Sequence, residues 1–314
     1  MVLDSRKILI GLFSYNEGEN LKEMFDEVKI QSINLGCRIV LLDESDEPNS
    51  LAIVNEIISK ESVINLVKGD VRRGKVHGYN ILYEYFIKSD CDILLHFDVD
   101  HKLSDHVVTR LSRSIDSGFD IATCLNKPLK PTNFFQRLQY VMILPAISQR
   151  ESGIFILPLV GHNGAYSVRA VKVIGNIPTG GIDEETYVLS QVLANNLSYT
   201  IVNTAISYFY LPGTLSDYIR STMRVYGKVK AFNKWYSKNK GSRNFNEPNQ
   251  IEKEVYSYPP LKLIVRSLLS DPVASLFLPF ILIVRWTLMR SAKIYDSDTW
   301  ETIETTKALK ERIV

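Results

Sequence analysis

At 314 residues the chain holds one large domain or two ordinary ones, and its 45% hydrophobic content supplies a sizeable core. The formal net charge of +2 singles out no partner, so the distribution of charge matters more than its sum. Three cysteines, Cys37, Cys91 and Cys124, lie far apart with no C-x-x-C; this excludes a disulfide framework and a cysteine zinc site and points to a reducing compartment.

The first apolar run, "ILIGLF" at 8–13, is too short for a signal peptide, and none is expected. With Lys7 it reads as a buried strand. Residues 16–30 carry Leu21, Phe25 and Val28 at helical spacing. "CRIVLLD" (37–43) is a second strand, 50–59 a helix, "VINLVK" (63–68) a third strand, 76–87 a helix and "DILLHFD" (92–98) a fourth strand. Continuous apolar strands separated by amphipathic helices predict an α/β fold with a mostly parallel sheet, regular to about Leu111.

Ligands of such sheets bind beyond the carboxyl ends of the strands. Here the four exits are Ser14–Glu17, Asp43–Asp46, Gly69–Lys75 and Asp98–His101, all polar and ionisable. Asp98 and Asp100, spaced i, i+2, fall on one side of the strand end with Val99 turned away. Two adjacent carboxylates repel unless a cation joins them, and hard Mg²⁺ or Mn²⁺ suits a carboxylate pair plus phosphate oxygens. Arg72, Arg73 and Lys75 add cations on that edge for a diphosphate, with Gly74 permitting close backbone approach. A solvated acidic turn and an exposed basic turn are the competing accounts. Asp43 stands where it would accept a hydrogen bond from a base or ribose. His101 is a candidate ligand or phosphate contact, His96 is expected to pack within its strand, and His162 and Asn163 to line the acceptor side.

In this order the motifs resemble a glycosyltransferase of family 2 with the GT-A (Rossmann-like) fold, over about residues 7 to 230. They are Tyr15-Asn16-Glu17 after the first strand, Asp43-Glu44 after the second, Gly74-Lys75 leading to Asn80, and the D-x-D at Asp98-Val99-Asp100. "GHNGAYSVRAV" (161–171), the acidic run Asp183-Glu184-Glu185 and "RVYGK" from Arg224 complete the set. The resemblance implies that Tyr15, Asn16, Glu17, Asp43, Arg72, Lys75, Asn80 and Asp98 hold a nucleotide-diphosphate sugar. It also implies a metal on Asp98 and Asp100, and an inverting transfer with a carboxylate base. The family's usual pattern is Glu-Asp, and Glu185 occupies the place of that Asp, with Asp183 and Glu184 as alternatives. The displaced aromatic after Arg224 favours transfer of a single sugar. An acidic first helical turn is also favoured by the helix dipole without catalysis.

From Tyr218 to Asn246 there is no Asp or Glu, while Arg220, Arg224, Lys228, Lys230, Lys234, Lys238, Lys240 and Arg243 interleave with aromatic rings. This suits an anionic membrane surface better than nucleic acid, for which no module is present. The apolar run from Pro272 to Val284 is shorter than the roughly 20 residues of a spanning helix and is interrupted at Arg285, so interfacial or re-entrant helices are expected. A helix pair packed on the catalytic domain or on a second subunit is the competing account, and a kinked span through Met289 a third. The organisation expected is a catalytic domain at 1–215, with a nucleotide-sugar half to about 110 and an acceptor half at 111–215, then a basic and apolar membrane-associating region at 216–314. The acceptor expected is a lipid or lipid-linked glycan at the cytoplasmic membrane face. The rivals are a non-catalytic nucleotide-sugar-binding protein of the same fold and a nucleotidyltransferase, which would want a Gly-rich loop where "SYNEGEN" stands.

Overall fold

The computed structural model describes residues 7–61, 64–68, 72–152, 163–239 and 259–294. Strands β1 (Ile8–Ser14), β2 (Arg38–Asp43), β3 (Ile64–Lys68) and β4 (Ile93–Asp98) alternate with helices α1 (Glu19–Ser32), α2 (Pro48–Lys60) and α3 (Lys75–Lys88). Then follow β5 (Lys102–Leu103), α4 (Val107–Asp116), β6 (Ile121–Pro128), α5 (Phe134–Glu151), β7 (Gly164–Ser167), α6 (Val168–Ile174), α7 (Glu184–Ala194) and β8 (Tyr199–Phe209). The helices α8 (Leu215–Asn239), α9 (Leu261–Ser270), α10 (Pro272–Leu276) and α11 (Leu278–Ser291) close the described chain.

The sheet runs β3-β2-β1-β4-β7-β6-β8-β5. β1 to β4 are parallel, as the alternation of strand and helix predicts, and β7 enters antiparallel between β4 and β6. Successive residues of β1 serve opposite faces: Leu9 joins one core with Tyr79 and Leu82 of α3, while Ile8, Ile10 and Leu12 join the other with Leu21, Phe25 and Val28 of α1. Burial on both faces is why these strands read as unbroken apolar runs.

Register aligns the exits. Ser14 pairs with Asp43 and Phe13 with Asp98, so both carboxylates leave the same edge of the sheet. Two glycines let α3 lie close against β1. A Cβ on Gly11 would meet Leu82 Cδ2 at 2.3 Å, and one on Gly78 would meet Phe13 at 2.8 Å. That contact brings Lys75, at the start of α3, over the edge.

α8 is part of the packed core rather than an appendage to it. Phe232 and Tyr236 bury in the cluster that holds α3, α6 and α7. α9 to α11 dock on α5 and α8. Ser267 Oγ donates to the Val141 carbonyl (2.6 Å), Arg137 makes a two-point ion pair with Asp271 (2.6 and 2.8 Å), and Ile281 buries against Leu138 and Tyr218. One side of these helices thus packs on the rest of the molecule. No described helix is long and apolar enough to cross a membrane. The basic stretch continues into residues 240–246, which lie outside the described residues, as do Gly161, His162 and Gly69–Val71.

Candidate active site

The exits of β1 and β2 brace each other. Asn16 takes φ +54°, a left-handed conformation that asparagine tolerates. Its Oδ1 accepts from the backbone N–H of Asp46 (3.0 Å) and Glu47 (3.1 Å), and its Nδ2 donates to Asp46 Oδ1 (2.6 Å). Glu17 accepts from Asn20 (3.2 Å). The Arg72 guanidinium lies 3.8 Å over the Tyr15 ring. Glu44 Oε2 accepts from the N–H groups of Arg73 (3.0 Å) and Gly74 (2.9 Å), which fixes the basic turn to the end of β2. Asp43 is buried. Its Oδ1 accepts from Ser45 Oγ (2.6 Å), and its Oδ2 has no hydrogen-bond partner among the described residues although it borders a cavity. A buried carboxylate oxygen left open costs stability unless a ligand meets it.

Asp98 ends β4, and Val99, buried, and Asp100 form the turn that follows it. Asp98 Oδ2 accepts from Lys75 Nζ at 2.9 Å, and His96 Nε2 is 3.4 Å from Oδ1. His96 is fully buried in β4 as expected, its Nδ1 2.9 Å from the Tyr79 hydroxyl. Asp100 is half-buried, and His101 Nε2 faces it at 3.9 Å. One ligand atom each from Asp98, Asp100 and His101 fall within 4.8 Å of one another.

Asn163 corrects an expectation. It is fully buried and does not line the acceptor side. Its Oδ1 accepts from the Asp98 N–H (2.8 Å) and its Nδ2 lies against Ser207 Oγ (2.6 Å) and His101 Nδ1 (2.9 Å). An amide NH₂ only donates, so Asn163 favours a lone pair on His101 Nδ1 and the proton on the Nε2 that faces Asp100. The residue is thus a brace behind the D-x-D, and the two carboxylates are the metal-ready part of the cluster.

The acidic run opens α7. Asp183 is its N-cap, accepting from Thr186 N (3.0 Å) and Oγ1 (2.5 Å). Burial, then Glu184 and Glu185, push the Asp183 carboxyl up to about 6. Glu184 is buried between two cations, Lys228 Nζ at 2.6 Å and Lys75 Nζ at 3.8 Å. Burial opposes its charge, but the two ammonium groups outweigh it and hold its pKa well below the usual carboxylate range. The same balance, burial against Asp98 and Glu184, holds Lys75 above the usual lysine range. A chain of alternating charge, Lys228–Glu184–Lys75–Asp98, therefore joins α8, α7, α3 and β4. Glu185, half-buried, is the remaining carboxylate of the run on the cavity.

All of this opens into one cavity of about 1340 Å³. Tyr15, Glu17, Asp43, Arg72, Lys75, Asp98, Asp100 and the three carboxylates of α7 border it. Asn16 and Asn80 do not. Asn16 shapes the β1 exit, and Asn80 bonds both ways with the Ile177 backbone (2.8 and 2.9 Å), tying α3 to the segment before α7. Sequence reasoning missed Arg150 and Arg285 as cavity residues and placed Lys228 on an anion-facing surface, whereas it is buried on Glu184. The i, i+4 spacing of Arg224 and Lys228, both on the cavity, was the available signal.

Carboxylates and cations gathered at the exits of the parallel strands β1 to β4 stand where α/β sheets bind their ligands. The match to the family model of glycosyl transferase family 2 spans residues 10–175, and the chain belongs to that family. It is therefore a nucleotide-sugar glycosyltransferase by class. Among solved structures, a mannosyltransferase from Pyrobaculum calidifontis, PcManGT, in complex with GDP-mannose and Mn²⁺ shares the fold. Its TM-score is 0.60 at 15% identity, covering 91% of this chain and 84% of that one. A mycobacterial protein aligns at TM-score 0.46 and 14% identity over 72% of this chain and 74% of its own. No curated protein matches the chain in sequence.

Proposed function

We propose that the chain is an inverting glycosyltransferase that moves one sugar from a nucleotide-diphosphate sugar to the hydroxyl of a lipid or lipid-linked glycan at a membrane face. The observation that carries this reading is the convergence of four strand exits and the first turn of α7 on one cavity. Asp43 Oδ2 accepts a hydrogen bond from the nucleotide, and Arg72, on its Tyr15 platform, meets the diphosphate. Asp98 and Asp100 fit a divalent cation, Mn²⁺ or Mg²⁺, and the Mn²⁺ bound with GDP-mannose in the Pyrobaculum enzyme supports that assignment. Bound there, such an ion neutralises charge on the leaving diphosphate. Lys75 already balances Asp98 and serves the same charge from the protein side.

Glu185 takes the acceptor proton. Glu185 borders the cavity at the place of the family's catalytic Asp, which supports it as the base over Asp183, the cap of α7, and Glu184, paired with two lysines. The acceptor oxygen bonds to the anomeric carbon as the bond to the diphosphate breaks on the opposite face, and the acceptor proton passes to Glu185. The membrane reading is supported by exposed apolar side chains on α9 to α11, including Leu261, Leu276 and Ile283. The test is donor binding and turnover in Glu185→Gln. Retained binding of nucleoside diphosphate with lost transfer is the expected result, and near-normal turnover would remove Glu185 as the base.

A further inference from the structure

His101 is the third member of the group around the D-x-D. On distance alone, Asp98, Asp100 and His101 suit an ion with three protein ligands. The donors and acceptors behind the ring point elsewhere. The Asp98 backbone N–H can only donate, and it meets Asn163 Oδ1 at 2.8 Å. That fixes which way round the amide stands. Asn163 therefore turns its NH₂ toward Ser207 Oγ (2.6 Å) and His101 Nδ1 (2.9 Å), and Ser207 Oγ is itself 2.7 Å from Nδ1. Two N–H groups cannot bond to each other, so Nδ1 carries the lone pair and Nε2 the proton. Nε2 is also the ring nitrogen on the side of the carboxylates, 3.9 Å from Asp100 Oδ1.

An imidazole that ligates an ion has the reverse polarity. Its lone pair meets the ion, and its other nitrogen donates to a carboxylate or carbonyl behind it. Here the amide behind the ring is itself a donor, and the ring presents an N–H to the carboxylates. The sheet holds this arrangement in place. β7 pairs with β4, which sets Asn163 behind Asp98, and β5 pairs with β8, which sets His101 beside Ser207. Asn163 takes φ +42°, which asparagine tolerates, and its carbonyl accepts from the Cys124 N–H (3.0 Å). Asn163 and Ser207 are fully buried, where a donor set against a donor would leave both unsatisfied.

We propose that His101 is a positioning residue of the ion site and not one of its ligands. Asn163 and Ser207 fix it as the Nε2–H tautomer, and that N–H steadies the oxygen atoms gathered there, of which the Asp100 carboxylate is the one it faces. This rests on the reading above of Asp98 and Asp100 as the residues that fit a divalent cation. It leaves the oxygens of those two carboxylates and of the diphosphate as the ligands, the set that hard Mg²⁺ and Mn²⁺ favour.

The test uses the full chain with Mn²⁺ and inorganic diphosphate in a nitrogen-free buffer, so that only the protein can supply a nitrogen. Pulsed electron paramagnetic resonance reads whether a nitrogen is bound to the ion, and none is expected in the parent chain. Asn163→Asp keeps the shape of the side chain and makes the group facing Nδ1 an acceptor. The proton should then sit on Nδ1, Nε2 should become a ligand, and the nitrogen coupling should appear. Affinity for Mn²⁺ should fall about tenfold in His101→Leu and be largely kept in His101→Gln, whose amide restores an N–H. A nitrogen coupling in the parent chain, which needs no variant to fold, would overturn the proposal. So would its absence in Asn163→Asp loaded with Mn²⁺, or unchanged affinity in His101→Leu. Failure of the parent chain to bind Mn²⁺ with diphosphate would instead contradict the reading of Asp98 and Asp100.

Discussion

The two ends of the cavity are built by different means. At the strand-exit end, Tyr15, Asp43, Asp98 and Asp100 stand at or just past the end of a strand, and the ladder between β1, β2 and β4 sets their position. At the helical end, Arg150, Lys228 and Arg285 come from three helices far apart in sequence and are placed by side-chain contacts. A backbone ladder fixes an exit whichever side chain it carries, so loss of a strand-exit group should remove chemistry and leave the fold. Buried ion pairs are both site and structure, so loss of a helical-end partner should remove stability as well.

The sharpest way to break this contrast is Glu185→Gln, at a half-buried residue in the first turn of α7 that borders the cavity. Removal of a general base costs about 10²–10⁴-fold in turnover. The account expects that loss in kcat with the thermal midpoint nearly unchanged; a large drop in stability would place Glu185 with the structural carboxylates.

Lys228→Ala is the opposite case. Glu184 and Lys228 are 4% and 5% exposed, so truncating the lysine removes the closer partner of a buried carboxylate and leaves Lys75 at 3.8 Å. Breaking a buried pair in this way costs about 3–5 kcal/mol. Urea unfolding should show a loss of that order, and Lys228→Met combined with Glu184→Gln should recover most of it. A loss confined to kcat would mean that Lys228 serves the reaction and not the fold.

The approach of α3 to β1 comes next. Gly11→Ala puts a methyl into Leu82, and overpacking of this kind costs about 1–3 kcal/mol. Because the same approach carries Lys75 to Asp98, the variant should also weaken nucleoside diphosphate binding. Wild-type stability and affinity together would show that β1 and α3 yield freely.

The smallest effect is expected at Asp183. Its carboxyl is raised from 3.8 to about 6 in the fold, so the native state holds the proton more readily than the unfolded chain. Stability therefore falls with rising pH across that window on account of this group. Asn keeps the cap and cannot ionise. Stability of Asp183→Asn relative to the parent should increase between pH 4 and pH 6 and level off above; a constant difference would mean that Asp183 ionises as an ordinary aspartate.

The same contrast sets how much was legible in the sequence. Strands β1 to β4 and helices α1 to α3 could be read because periods of burial are local, and the D-x-D because it directly follows an apolar strand. The role of Asn163 was hidden, since a residue after a gap of 65 positions is brought behind Asp98 only by β7 slotting between β4 and β6. Asn16 and Asn80 belong to the site's frame and not its surface, a distinction made by backbone partners that no motif records. Lys228 read as one cation in a basic run because its partner, Glu184, lies 44 residues away.

The most direct test of the central claim is calorimetric titration of the full chain with a panel of nucleoside diphosphates, with Mn²⁺ and then with chelator, in the parent and in Asp98→Ala/Asp100→Ala. The account predicts binding that needs the ion, is lost in the double variant and is retained in Glu185→Gln. Equal affinity with and without the ion, or undiminished metal-dependent binding in the double variant, would contradict it.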